Sequence, residues 1–264
     1  MGPLATADLY RKIVMSTDAA CDQEHIHTLI DSNTNIPDRT AALLCGAESP
    51  VEEMVKSARL LEKAGAGLLI MPCNTAHNFH SEVQDAVSIP VLHMIKLTVQ
   101  ALERQGVSRA GLLATDGTVQ TRIYQRCFEN NGIELITPDN EGQAAVMDMI
   151  YKGVKAGCTD FDTTEVRAAA DRLLNTGVQV LILGCTELPL AFDMYALHYP
   201  TVDPTLELAR AAIIRRRRKV KGEQSVSETR RMLNEIRFQN SRGCKSLVNT
   251  CNRQSCKADE GRRA

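Results

Sequence analysis

Two cysteines stand where an apolar run ends and small polar residues begin. In LLIMPCNTAHN, residues 68–78, the run stops at Pro72 and gives way to Cys73, Asn74 and Thr75; in VLILGCTELP, residues 180–189, it stops at Gly184 and gives way to Cys185 and Thr186. Four apolar residues between Gly67 and Pro72 fit a fully buried parallel strand, and Asn74, Thr75 and Ala76 can open a helix. Each thiol is thereby placed at the carboxyl end of a strand, where ligands bind in open α/β sheets. A helix N-terminus there offers unpaired N–H groups that favour an anion and lower a thiol's pKa. One such cysteine is more often packing, because free Cys behaves as a small hydrophobe. Two with the same local grammar predict two halves of the chain facing one pocket. Thiol and thiolate are both accessible near neutral pH, so such a pair can serve as acid and base. His77, four residues after Cys73, raises a rival chemistry, a Cys-His dyad for acyl transfer. A dyad needs no second strand-end thiol, and a surface or supporting histidine is the expectation.

The elements that must hold these thiols alternate along the chain. Leu9, Ile13 and Val14 mark a helix face within residues 1–17, and HIHTLIDS, residues 25–32, alternates as a strand. A loop over residues 33–40 carries Arg39, which by residue type alone is a solvated surface side chain. Ser49-Pro50-Val51-Glu52 reads as a capping box with Pro at the first helical position, opening a scaffold helix to about Ala64. A helix over 75–87 and a strand over 89–93 complete a first domain, residues 1–93. A helix over 96–104, strands over 111–114 and 133–136, helices over 119–130, 143–151 and 164–175, and the strand into Cys185 make a second, residues 94–202. Residues 203–214 are expected to return as a helix onto the first domain. The predicted fold is α/β, with two Rossmann-like or flavodoxin-like domains of mostly parallel sheets, pseudo-twofold related, and an active site between them.

The 264 residues, 44% hydrophobic, suffice for one large core or two smaller ones. No apolar run approaches a membrane span and no signal peptide precedes the first helix, so a cytoplasmic enzyme is expected. Nine cysteines without framework spacing fit reduced thiols better than a disulfide scaffold. The net charge of −1 hides an asymmetry: from Arg215 on there are 15 Lys and Arg against 5 Asp and Glu, a net of +10, offset by −11 in the rest. Residues 215–264 are expected to form a basic, disordered tail. Its one aromatic, Phe238, gives little stacking capacity, so a nucleic-acid role would rest on charge only. Cys244, Cys251 and Cys256, spaced seven and five apart with no nearby His, make a poor zinc signature.

MPCNTAH and GCTELP look like the two signature motifs of the Asp/Glu racemase superfamily. MGPLATADLY at the start, IPDRT at 36–40, IPVLHMI at 89–95, GLLATDGT at 111–118 and YKGVKAG at 151–157 resemble, more narrowly, aspartate racemases. The resemblance runs in order from Met1 to about Ile214. It implies a cofactor-independent racemase of aspartate, with glutamate as the second acid, acting on a small amino acid as a homodimer without membrane or nucleic-acid partners. It implies Cys73 and Cys185 as the two bases on opposite faces of Cα. Asn74, Thr75 and Thr186 would clamp the α-carboxylate of an enolate-like intermediate. Arg39, matching the arginine of IPDRT, and Lys155 would select an acidic side chain. Without the resemblance, Lys155 beside two glycines reads as a helix C-terminal cation. The turn Thr115-Asp116-Gly117-Thr118 resembles an anion-binding loop, and an ordinary N-cap at Thr118 fits it equally. In this family a strand ending in Gly-Gly directly precedes the Met-Gly-Pro that opens this chain. The first domain is therefore expected to lack an interior strand and to leave backbone groups unpaired, so an inactive truncated homologue that only binds, or a related two-thiol isomerase of another acid, is the alternative.

Overall fold

The computed structural model describes residues 2–129 and 131–222. Strands β1 (Arg109–Ala114), β2 (Glu134–Ile136), β3 (Val180–Gly184) and β4 (Thr201–Val202) form a parallel sheet in the order β2-β1-β3-β4. In chain order the α-helices are α1 (Pro3–Ser16), α2 (Arg39–Cys45), α3 (Val51–Lys63), α4 (His80–Asp85), α5 (Met94–Arg104), α6 (Asp116–Gln120), α7 (Ile123–Phe128), α8 (Asn140–Asp148), α9 (Thr164–Asn175), α10 (Leu188–Met194) and α11 (Pro204–Arg215). Residues up to Val220 form one compact unit.

The near-continuous apolar character of β1 and β3 follows from burial on both faces. Leu113, Leu181 and Leu183 pack with Val146 of α8, Val166 and Ala170 of α9 and Leu188 of α10. Leu112, Val180 and Ile182 alternate to the other face, against Ile95 and Val99 of α5 and Tyr124 of α7. Truncating any of the fully buried leucines to Ala costs about 2–5 kcal/mol. Gly184 lets the two central strands close at their carboxyl ends, since a Cβ there would lie 2.6 Å from Leu112 Cδ1 and 3.0 Å from the Leu113 carbonyl oxygen.

The first half is less regular than the sequence suggests. Leu69 N donates to Pro90 O and Leu92 N to Leu69 O, both at 2.9 Å, and this single parallel bridge, Leu69 with Val91, is all the ladder that the expected strands over 68–71 and 89–93 make. Residues 25–32, read as a strand, pair with nothing: an alternating segment becomes a strand only beside a partner, and none lies within reach. Helices hold this half instead. Leu9 and Ile13 of α1 pack with Leu208, Ala212 and Ile213 of α11 and with Leu92 and Met94, while Met54 and Ala58 of α3 pack with Leu69, Met71 and Val91. Lys12 bridges Asp8 and Asp203 at 2.5 Å each, and Asp203 caps α11 through Thr205 N and Leu206 N. The chain stays attached beyond α11, where Val220 is buried and bridges Thr17. Residues 223–264, with Phe238, Cys244, Cys251 and Cys256, lie outside the described residues.

Three predicted helices differ in detail. The one over 75–87 opens as a 3-10 turn, Thr75–Phe79, before α4. The one over 119–130 starts earlier and is split into α6 and α7 by Arg122, whose φ of 53° is left-handed. The one over 143–151 begins at Asn140, because the Asp139 side chain accepts from Gly142 N at 2.8 Å, and runs on through a π turn, Met149–Val154. Among the described residues no helix is long and apolar enough to cross a membrane.

Candidate active site

Strand order changes direction between β1 and β3, and a crevice opens there at the carboxyl ends. Thr115 follows β1 and Cys185 follows β3; residues 68–72 bring Cys73 to the same place. A small cleft is lined by both thiols together with Arg39, Asn74, Thr75, Thr115, Lys155 and Thr186. Gly2, Asp38, Thr40, Pro72, Tyr151 and Glu187 complete it. Arg39 reaches it because α2 lies close on α6: a Cβ on Gly117 would stand 2.7 Å from Thr40 Oγ1, so only glycine permits this approach. Of the residues singled out in the sequence, Thr118 and His77 do not line the cleft. Thr118 lies outside it, fully buried, and its hydroxyl bonds to Thr75 at 2.9 Å and Thr115 at 3.2 Å, with Thr75 and Thr115 3.0 Å apart. This ring of three hydroxyls ties the two halves of the chain together beneath the site. The N-cap position of α6 is Thr115 rather than Thr118.

The two thiols differ. Cys73 is half-buried and Cys185 is buried. Cys185 donates its S–H to Glu187 Oε2 at 2.9 Å, and Thr186 Oγ1 donates to the same oxygen at 3.2 Å. Burial, then the Glu187 charge and this bond, push the Cys185 thiol well above its ordinary pKa, so a thiol lowered by a helix N-terminus, as expected from the sequence, is reversed here. The seven-residue α10 begins three residues on, and desolvation with a buried carboxylate outweighs its dipole. Lys155 ends the π turn with its ammonium 4.2 Å over the Tyr151 ring. Burial opposes its charge, but Glu187, Tyr151, Cys185 and Cys73 together hold its pKa above the ordinary lysine value.

Two donors in the cleft have no partner. Arg39 Nη1 donates to the carbonyls of Ile36 at 3.1 Å and Pro37 at 2.8 Å, leaving buried Nε unbonded. Burial works against this guanidinium, yet the neighbouring Cys73, by electrostatics and hydrogen bonding, and then Asp38 raise its pKa. Asn74 accepts from Tyr124 Oη at Oδ1, 2.6 Å, so its Nδ2 remains a buried donor with nothing to donate to. His77 has both nitrogens occupied: Nε2 accepts from Met94 N at 3.0 Å, which makes Nδ1 the donor to the Cys73 carbonyl at 2.8 Å. Its ring is a brace under the strand end, not a dyad base, and burial lowers its pKa to about 4.

Sequence reasoning passed over Glu187, although it stands inside the quoted GCTELP and two residues from the thiol, a spacing that one turn folds back. It also passed over Tyr124, 50 residues from Asn74, for which no local signal exists. Tyr151 sits in the cleft through the π turn, which periodicity at 3.6 conceals.

Fold and cleft together define a class: an open α/β protein with a small cleft at its switch point, lined by two thiols from different halves of the chain. The model of the Asp/Glu/hydantoin racemase family matches residues 1–212. The broad specificity amino-acid racemase RacX of Bacillus subtilis is 29% identical over 173 residues, 63% of this chain and 75% of that one. The structure of Picrophilus torridus aspartate racemase superposes with a TM-score of 0.71 at 32% identity, covering 83% of this chain and 92% of the other. An aspartate racemase homologue from Pyrococcus horikoshii gives 0.65 at 25%, covering 80% and 93%. This chain belongs to the Asp/Glu/hydantoin racemase family.

Proposed function

We propose that the protein is a cofactor-independent racemase that interconverts L- and D-aspartate, with glutamate as the second acid, through Cys73 and Cys185. The observation that carries this reading is the meeting, in one small cleft, of two thiols from different halves of the chain with two buried, unpartnered donors, Arg39 Nε and Asn74 Nδ2. Those donors fit the carboxylates of an amino acid dicarboxylate, and Lys155 adds a fixed positive charge. In one direction the Cys73 thiolate removes the Cα proton while Cys185 delivers its own from the opposite face. The products are a Cys73 thiol and a Cys185 thiolate, and the reverse direction exchanges these roles. Glu187, which accepts a hydrogen bond from the Cys185 S–H in the resting arrangement, is placed to pass a proton back to the Cys185 thiolate after each turnover. Negative charge that develops on the α-carboxylate is met by Asn74, Thr75 and Thr186.

The single-bridge first half favours one further reading, a protein that binds the acid without inverting it. One experiment separates them: incubate the purified protein with L-aspartate in deuterated reducing buffer without pyridoxal phosphate, and follow optical activity and Cα deuterium. Both should change together. A ligand-dependent rise in melting temperature with neither change would replace racemisation by binding.

A further inference from the structure

Lys155 is carried on a strap whose two ends meet at one hydroxyl. The π turn closes at Val154, and the chain then passes Gly157, whose φ of 71° is left-handed, to reach Cys158. Lys155 N donates to Ile150 O and Cys158 N to Gly153 O, both at 3.0 Å, and Gly157 N to Val154 O at 3.1 Å. Gly153 and Cys158 are thus joined, with Lys155 between them. Tyr195, the residue that ends α10, donates its hydroxyl to Cys158 O at 2.6 Å. The same oxygen lies against Gly153, where an added Cβ would stand 2.9 Å from Tyr195 Oη and 3.4 Å from the Phe161 ring. Only glycine at 153 lets the strap sit this close to the hydroxyl. The ring behind that hydroxyl is held in its turn: it packs on Phe161 with centroids 5.9 Å apart, and Arg167 of α9 donates through Nη2 to the carbonyls of Tyr195 at 3.1 Å and Ala196 at 3.2 Å. Ala196, with a φ of 51°, keeps a left-handed backbone that these bonds sustain. Among the described residues no carboxylate makes an ion pair with Lys155, so where its ammonium points depends on where the strap is fixed.

We propose that Tyr195 is a positioning residue: by holding Gly153 and Cys158 on one hydroxyl, it fixes the strap that aims Lys155 into the cleft, toward the second carboxylate of the substrate. Tyr195 does not line the cleft, so it acts only through the strap. The identity of the substrate rests on the racemase reading, whereas the anchoring of Lys155 stands on the strap alone. The arrangement also gives α10 a second task. Glu187, which bonds the Cys185 thiol, caps one end of this seven-residue helix, and Tyr195 stands at the other. One short rigid element therefore sets the spacing between the buried thiol and the cation that faces it.

The test is Tyr195→Phe in the full chain, which keeps the ring on Phe161 and removes only Oη. Tyr199→Phe is the control, since its hydroxyl bonds Arg167 O at 3.4 Å and makes no bond to the strap. In each form the Cε resonance of Lys155, assigned with Lys155→Arg, is titrated by NMR. Glu187, Tyr151, Cys185 and Cys73 hold this ammonium above the ordinary lysine value, so a Lys155 released from the cleft should titrate at lower pH in Tyr195→Phe and stay unmoved in Tyr199→Phe. The KM for L-aspartate should rise about 3- to 10-fold in Tyr195→Phe with kcat within about twofold, as for the loss of one hydrogen bond that serves binding. Gly153→Ala, which crowds the same oxygen from the strap, should reproduce the shift, and adding it to Tyr195→Phe should change little more. A Lys155 titration unmoved by Tyr195→Phe, or moved equally by Tyr199→Phe, would overturn the proposal. A moved titration with an unchanged KM would overturn the role toward substrate. Absence of racemisation in the parent chain, with the Lys155 shift intact, would instead strike the racemase reading and leave the anchor standing.

Discussion

Cys185 and Glu187 share one proton: the thiol donates to Oε2 at 2.9 Å, both side chains buried. Burial first and the carboxylate second keep Cys185 protonated. Replacing Glu187 by Gln removes the second influence and leaves the first, so the thiol's pKa should fall while staying above its ordinary value. The pH profile of the direction that needs a Cys185 thiolate should move to lower pH, together with the ultraviolet absorbance of the thiolate. An unmoved profile would remove Glu187 from the proton path.

Cys73→Ala and Cys185→Ala should each lower racemisation by about 10³-fold or more, since each deletes an acid/base group and the two directions need both. Chiral chromatography of aspartate reads this directly. Two-way activity retained by either variant would sink the paired-thiol mechanism.

Arg39→Ala should raise KM for aspartate about 10- to 100-fold, the loss of about 1.5–3 kcal/mol from a hydrogen bond to a charged group. A monocarboxylate such as alanine should be affected much less. An unchanged KM for aspartate would take Arg39 out of substrate binding.

Tyr124→Phe leaves Asn74 Oδ1 without its donor at a buried position. The amide is then free to turn its oxygen toward the cleft, so KM should rise more than kcat falls, and stability should drop by about 1–3 kcal/mol. Equal loss in both constants would point to collapse of the site rather than to amide orientation.

His77 predicts an acid limit. Its pKa of about 4 lies below the ordinary histidine value of about 6.5, because the buried ring resists charge. The folded state therefore binds the proton less readily than the unfolded chain. The associated stability is complete above about pH 6.5 and is lost as pH falls toward 4, to about 3 kcal/mol in all. Melting temperatures over this range should fall, and His77→Gln should flatten the fall; an equally steep fall in the variant would assign it to other groups.

Much of the site was legible because its chemistry is local. A thiol after an apolar run, twice, is visible without coordinates, and the fold brings Cys73 and Cys185 to one cleft. Thr118 was left between two readings because its hydroxyl looks the same whether it faces an anion or a neighbouring hydroxyl, and the fold packs it against Thr75. Tyr124 was invisible because its partner is remote in sequence, and Glu187 because a carboxylate near a thiol reads as solvated until burial is known. Three strands of the second half's sheet followed from apolar runs, while β4, only two residues long, gave no such signal. The first half did not, since alternation in residues 25–32 records a preference that pairing must satisfy, and pairing is a property of neighbours.

The π turn at Met149–Val154 can be read as a ruler with one extra mark. Each residue of an α-helix advances the side chain by about 100°, so a single residue absorbed into a wide turn rotates everything after it by that amount. Tyr151 and Lys155 enter the cleft together from this turn. Shortening the segment by one residue would restore regular winding and swing the Lys155 ammonium about a quarter-turn off the Tyr151 face, leaving the thiols in place and the charge that faces them gone. The site's positive wall is thus set by a count of residues as much as by their kinds, and a one-residue deletion is for this helix a change of electrostatics.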